Sequence, residues 1–189
     1  MGLYGPMPGY PDIWPGIPPT EPPAPTPGPI KPDKRRPFET AYLWTCNCTS
    51  KDDRLQPVPG IVNPTSNPLG STGPGTGKHQ VYPFPSVPPI AVGTGGTGTC
   101  VALIVKCPGK VAVYHFTVGD DVSGTLGQNS WPAGCDAMIC GGNGSEPQSD
   151  CLGDDVMDSA TSAGFNVVGV SGSSGCGVDA NGNWWQHGS

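Results

Sequence analysis

The sequence predicts an α+β fold: a two-layered β-sandwich-like core with flanking helices, preceded by a proline-rich extended segment. Three observations carry this expectation. Two short apolar runs follow each other closely, Val101-Ala102-Leu103-Ile104-Val105 and Val111-Ala112-Val113-Tyr114-His115-Phe116. One segment, Asp150 to Ala163, has the character of a helix. Proline is concentrated at one end, with 13 of the 25 prolines in residues 1–40. At 189 residues a single domain with a moderate core is expected.

The elements follow in order. Residues 1–37 alternate Pro with Gly and isolated aromatics. Proline lacks the N–H that a helix or an inner strand requires, so this stretch reads as a semi-rigid linker. A proline-rich ligand for a small recognition domain is the alternative. Residues 38–189 form the expected domain, and Phe38 to Thr45 is its first apolar, β-prone run. Repeated Pro, Gly, Ser and Asn make residues 51–90 a long irregular segment with one short strand near Val81-Tyr82. A loop of that length usually serves as a lid or a binding surface. Strands are expected at about 100–106 and 111–118, and a helix or looped segment from Gly134 to Cys140. Asp residues at the start of Asp150–Ala163 suit the positive end of a helix dipole, and Gly164 supplies its stop. Val167 to Val170 and Gly182 to Trp185 close the domain as strands. This order fits two β-layers with helices outside.

Composition narrows the function. The net charge of −6 argues against a nucleic-acid partner, because phosphate binding needs a basic face. Lys34-Arg35-Arg36 reads as a solvated cluster in the linker. No apolar run approaches the roughly 20 residues of a membrane span. The first 30 residues lack the apolar core of a signal peptide, so export is expected to depend on another carrier. Eight cysteines are many for a reducing compartment. Cys46-Asn47-Cys48 and Cys135-x4-Cys140 do not have zinc spacing, and His79 and His187 stand in no ligand pattern. The H-x-E and P-C-x-x-C signature of zinc deaminases is absent as well. No metal or cofactor is expected, and one to three disulfides are, with their pairing open.

Cys100 is the candidate nucleophile. It ends the glycine-threonine run Gly93-Thr94-Gly95-Gly96-Thr97-Gly98-Thr99, expected as a flexible turn that delivers the thiol to the start of the apolar strand. Fifteen residues later, His115 lies in the next strand. Adjacent antiparallel strands run about 5 Å apart, so a thiol and an imidazole on the two can meet. A neighbouring imidazolium favours the thiolate, which is the nucleophile. The bland alternative is an inert buried cysteine, as most are. Small residues before Cys100 leave its backbone approachable, which packing alone does not require.

Thr94-x5-Cys100, Gly98-Thr99-Cys100-Val101 and the pair His115-Phe116 resemble the cysteine-dependent protein glutamine deamidases. These include the chemoreceptor deamidase of bacterial chemotaxis and toxins of the cytotoxic necrotizing factor type. Ala137-Met138-Ile139-Cys140-Gly141-Gly142 is similar to that family's Ala-Lys-apolar-Phe-Gly-Gly stretch. Asp154 to Gly169 resembles its helix-then-strand unit. The likeness covers about residues 90–180. Cys140 replaces an aromatic, and the loop after the histidine is rich in Asp and Gly. Both departures bear on the substrate more than on the chemistry. Met1-Gly2-Leu3-Tyr4-Gly5 resembles the junction before the variable tip of Rhs polymorphic toxins.

The resemblance implies a Cys–His thioester mechanism converting a protein glutamine to glutamate. Cys100 is the nucleophile, His115 the base, and Thr94 the group that orients the imidazole. It also implies a secreted effector delivered into a target cell, a target protein with an exposed glutamine, and a cognate immunity protein. Transglutamination and papain-like proteolysis use the same apparatus. A disulfide-stabilised extracellular binding module is the reading from a different class.

Overall fold

The computed structural model describes residues 48–66, 68–69, 73–86, 89–142 and 146–188. The expected linker over 1–37, its basic cluster and the Phe38–Thr45 strand lie outside the described residues.

Two sheets pack face to face. The larger holds β1 (Lys78–Pro83), β3 (Val101–Cys107), β4 (Lys110–Phe116), β5 (Asp136–Gly141) and β6 (Asn166–Ser171), in the order β1-β4-β3-β5-β6. The smaller is β2 (Val92–Gly95), β7 (Gly175–Val178) and β8 (Trp184–His187), in the order β2-β7-β8. The helices are α1 (Lys51–Arg54), α2 (Val122–Gly127) and α3 (Pro147–Ser162). The α+β class and its two β-layers are therefore as the sequence predicts.

The apolar runs form strands because β3 and β4 are covered on both faces, so neither needs a polar side. Val101, Leu103, Val105, Ala112 and Tyr114 face a helix layer that includes Leu152, Val156 and Ala160. Ala102, Ile104, Val111, Val113 and Met138 face the smaller sheet, against Val92, Val178 and Trp184. β5 and β6 pair in parallel, so their connection must cross over, and α3 supplies it. Gly164, at φ 82°, ends α3 where the sequence places the stop, and the Phe165 N–H closes the end on the Ala160 carbonyl.

Three departures have physical causes. Gly134 to Cys140, expected as a helix or loop, is mostly β5, which lies inside the larger sheet between β3 and β6. A short apolar run has no period that separates a strand from a buried helix. Gly93-Thr94-Gly95, expected as part of a flexible turn, is strand β2. Gly93 and Gly177 are Cα partners beneath the ring of Trp185. A Cβ on Gly93 would sit 2.2 Å from the Cys176 carbonyl and 2.7 Å from the indole, so only glycine fits. The indole supplies the packing that the glycines lack. Finally, the segment over 51–90, expected to hold one short strand, also holds helix α1, because the Ser50 hydroxyl caps its start by accepting from the Asp53 N–H.

Three disulfides tie the described residues: Cys48–Cys151, Cys107–Cys135 and Cys140–Cys176, closing separations of 103, 28 and 36 residues. Loops of these lengths correspond to about 3–5 kcal/mol of stabilisation each in the chain-entropy account. The number agrees with the expected one to three. Among the described residues no helix is long and apolar enough to cross a membrane.

Candidate functional site

Cys100 is the free cysteine of the described residues and is half-buried. It ends a bend that leads into β3. That bend is held from two sides. Gly142 N–H donates to the Cys100 carbonyl at 2.9 Å and to the Thr97 carbonyl at 3.3 Å. The Ser149 hydroxyl donates to the Thr99 carbonyl at 2.7 Å. Thr97 is buried, and its hydroxyl donates to the Ser173 carbonyl. The expected flexible delivery of the thiol is replaced by a fixed one.

His115 lies on β4, on the face toward the smaller sheet. Its Cα partners are Ala102 on β3 and Lys78 on β1. Cys100 precedes Ala102 by two residues, which is the diagonal position to His115. Diagonal neighbours lie roughly 7–8 Å apart, within reach of a long side chain. In this structure the two side chains make no hydrogen bond: His115 Nε2 is buried without a hydrogen-bond partner among the described residues. Catalytic contacts in unliganded sites are often long and tighten with substrate.

Thr94, from β2 of the opposite sheet, meets the other imidazole nitrogen. Its Oγ1 lies 2.9 Å from His115 Nδ1 and donates to the Pro74 carbonyl at 3.0 Å. A hydroxyl has one proton to give. With that proton on Pro74, Oγ1 accepts from Nδ1–H. The network thus assigns the neutral tautomer protonated at Nδ1, and the lone pair falls on Nε2. Burial lowers the His115 pKa from the ordinary 6.5, while the Pro74 carbonyl and then the Asp120 carboxylate oppose it. A neutral imidazole with an open Nε2 can take a proton from a thiol.

Thr94 and His115 are therefore brought into contact, and Cys100 is placed at the diagonal position without a bond to either. Sequence reading missed Pro74, Ser149 and Gly142, which act through backbone or through one hydroxyl and have no residue-type signature. Among the described residues no group of three or more His, Cys, Asp or Glu side chains is arranged to hold a metal ion. No protein-family model matches the chain, and no curated protein matches it in sequence.

Proposed function

We propose that the chain is a toxin-like protein glutamine deamidase acting through Cys100 and His115. One observation carries this reading. The Thr94–Pro74 network leaves Nε2 of a buried, neutral histidine without a hydrogen-bond partner, and an unpaired cysteine stands two residues before Ala102, the Cα partner of that histidine.

Nε2 takes the thiol proton, and the thiolate adds to the side-chain amide carbon of a protein glutamine. The carbonyl π pair moves to oxygen and returns as the C–N bond breaks. The imidazolium gives its proton to the departing nitrogen, releasing ammonia and leaving a thioester. Nε2 then takes a proton from water, hydroxide adds to the thioester carbon, the C–S bond breaks to release glutamate, and the imidazolium returns its proton to the Cys100 thiolate. Thr94 keeps the tautomer that this sequence needs at both steps.

The three disulfides accord with passage through an oxidising compartment, and we extend the proposal to a delivered effector with a cognate immunity protein. The chain's net charge of −6 favours an inhibitor whose contact rim is basic.

The test is the intact mass of candidate target proteins after incubation with the chain and with Cys100→Ala. Deamidation adds about one dalton per glutamine, because an –NH2 becomes –OH. A gain equal to a partner protein assigns transglutamination, and fragments assign proteolysis. No Cys100-dependent change on any glutamine-bearing protein rejects an amidase.

A further inference from the structure

We infer that Ser149 is a positioning residue that aims the Cys100 N–H at the oxyanion of the proposed reaction. This rests on the deamidase reading, and on three geometric facts that are independent of it.

First, Ser149 is fully buried and lies in the opening turn of α3, with its hydroxyl on the Thr99 carbonyl at 2.7 Å. Second, the Thr99–Cys100 peptide is trans, since the cis bond of the described chain is Phe84–Pro85. In a planar trans peptide the C=O and N–H vectors point in opposite directions. The Cys100 N–H therefore points away from α3. Third, α3 and His115 flank opposite faces of the larger sheet. Leu152, Val156 and Ala160 of α3 pack with Val101 and Leu103. His115 instead reaches Thr94 on the smaller sheet. Directing the Thr99 carbonyl toward α3 thus directs the Cys100 N–H toward the histidine's side. No described residue accepts a hydrogen bond from that N–H.

Gly142 reinforces the arrangement by fixing the next carbonyl, that of Cys100 itself. Arg54 braces the base of α3: it is buried, donates to the Asp150 carbonyl, and pairs with the Asp150 and Asp154 carboxylates. The opening turn that carries Ser149 is consequently a rigid support. A donor held before the reaction begins is the arrangement that stabilises developing charge most effectively.

The probe is a short peptide in which the glutamine side-chain amide is replaced by an aldehyde. The Cys100 sulfur adds to the aldehyde carbon, a C–S bond forms, and the π pair moves to oxygen, which takes up the thiol proton. That oxygen occupies the place of the oxyanion. Alkylation by iodoacetamide is the control, because displacement of iodide develops no oxyanion. Ser149→Ala should weaken aldehyde affinity and lower kcat by roughly tenfold to a hundredfold, with KM and the alkylation rate within about twofold of wild type. In the wild type the Cys100 amide proton should move downfield when the aldehyde adds, a readout that needs no variant to fold. Wild type that forms no adduct overturns both this inference and the deamidase reading. An adduct with an unmoved Cys100 amide, or with equal affinity for folded Ser149→Ala, overturns the inference alone. Parallel loss of alkylation and aldehyde binding in Ser149→Ala reduces Ser149 to a structural role.

Discussion

Thr94 and Cys176 are Cα partners on neighbouring strands of the smaller sheet, and each reaches one register row of the larger sheet. Thr94 meets His115 through its hydroxyl, and Cys176 meets Cys140 through a disulfide. His115 and Cys140 are both Cα partners of Ala102, one on each side. The next pair continues the pattern: Ser171 partners Cys140, Gln186 partners Cys176, and the Ser171 hydroxyl donates to the Gln186 amide oxygen. Two polar bridges and one covalent bridge thus join matched rows. The small Ala102 leaves room between the histidine and the disulfide.

The first prediction follows from that alignment. Replacing Cys140 and Cys176 together by Ala should cost about 2–5 kcal/mol of stability by denaturant titration. The same variant should lower kcat more than KM, because the row that sets Thr94 against His115 loses its neighbouring anchor. A stability loss with full kcat would show that the polar bridge holds by itself.

The second concerns the nucleophile. Cys100→Ala should abolish turnover. Cys100 is half-buried and outside both apolar cores, so its loss should change stability by less than about 1 kcal/mol. Turnover by this variant at even a tenth of the wild-type rate would remove the thiol from the mechanism.

The third concerns the orienting hydroxyl. Thr94→Val keeps the shape and removes the acceptor of Nδ1–H and the donor to Pro74. Leaving buried polar groups without partners costs about 1–3 kcal/mol each. Activity should fall while Thr94→Ser retains most of it. Equal activity of Thr94→Val and wild type would assign tautomer control to the Pro74 carbonyl alone.

These contacts mark how far the residues could be read in advance. The apolar runs at 101–105 and 111–116 announce β3 and β4, because the first is mostly β-branched (Val101, Ile104, Val105) and the second joins two valines to Tyr114 and Phe116. Gly164 announces the end of α3, because it alone relieves the left-handed turn there. The Thr94–His115 meeting was open to sequence reading only through resemblance; no spacing rule joins a threonine on one sheet to a histidine on another. β2 and β7 stayed hidden because glycine argues against a strand, and the compensating Trp185 is far away in sequence. The cysteine pairs stayed hidden because separations of 28 to 103 residues are closed by topology and not by local pattern.

The fourth prediction is pH dependence. The His115 pKa is lowered in the fold, so the unfolded chain binds its proton first as pH falls. Stability from this residue is therefore fully present above about 6.5 and is lost as pH drops through that value toward the folded pKa. The acidic limb of kcat/KM in the free enzyme should lie below 6.5 for the same reason. His115→Gln should remove that part of the stability slope. An acidic limb above 6.5 would mean that the imidazolium is favoured in the site, contrary to its burial.

The fifth concerns the turn that presents the thiol. Gly141 has φ 92°, and a Cβ there would stand 2.4 Å from both the Cys100 and Thr97 carbonyl oxygens. Those carbonyls accept from Gly142, so they cannot retreat without breaking the bonds that fix the bend. Gly141→Ala should cost about 1–3 kcal/mol for the backbone conformation alone. It should also displace Cys100 from its diagonal place opposite His115, so activity should fall further than stability explains. Gly98→Ala is the matched control. Gly98 lies in the same bend, yet nothing stands within 4 Å of its Cβ position. Activity should survive that change nearly intact. Equal tolerance of both substitutions would mean that the position of the Cys100 backbone does not limit the reaction.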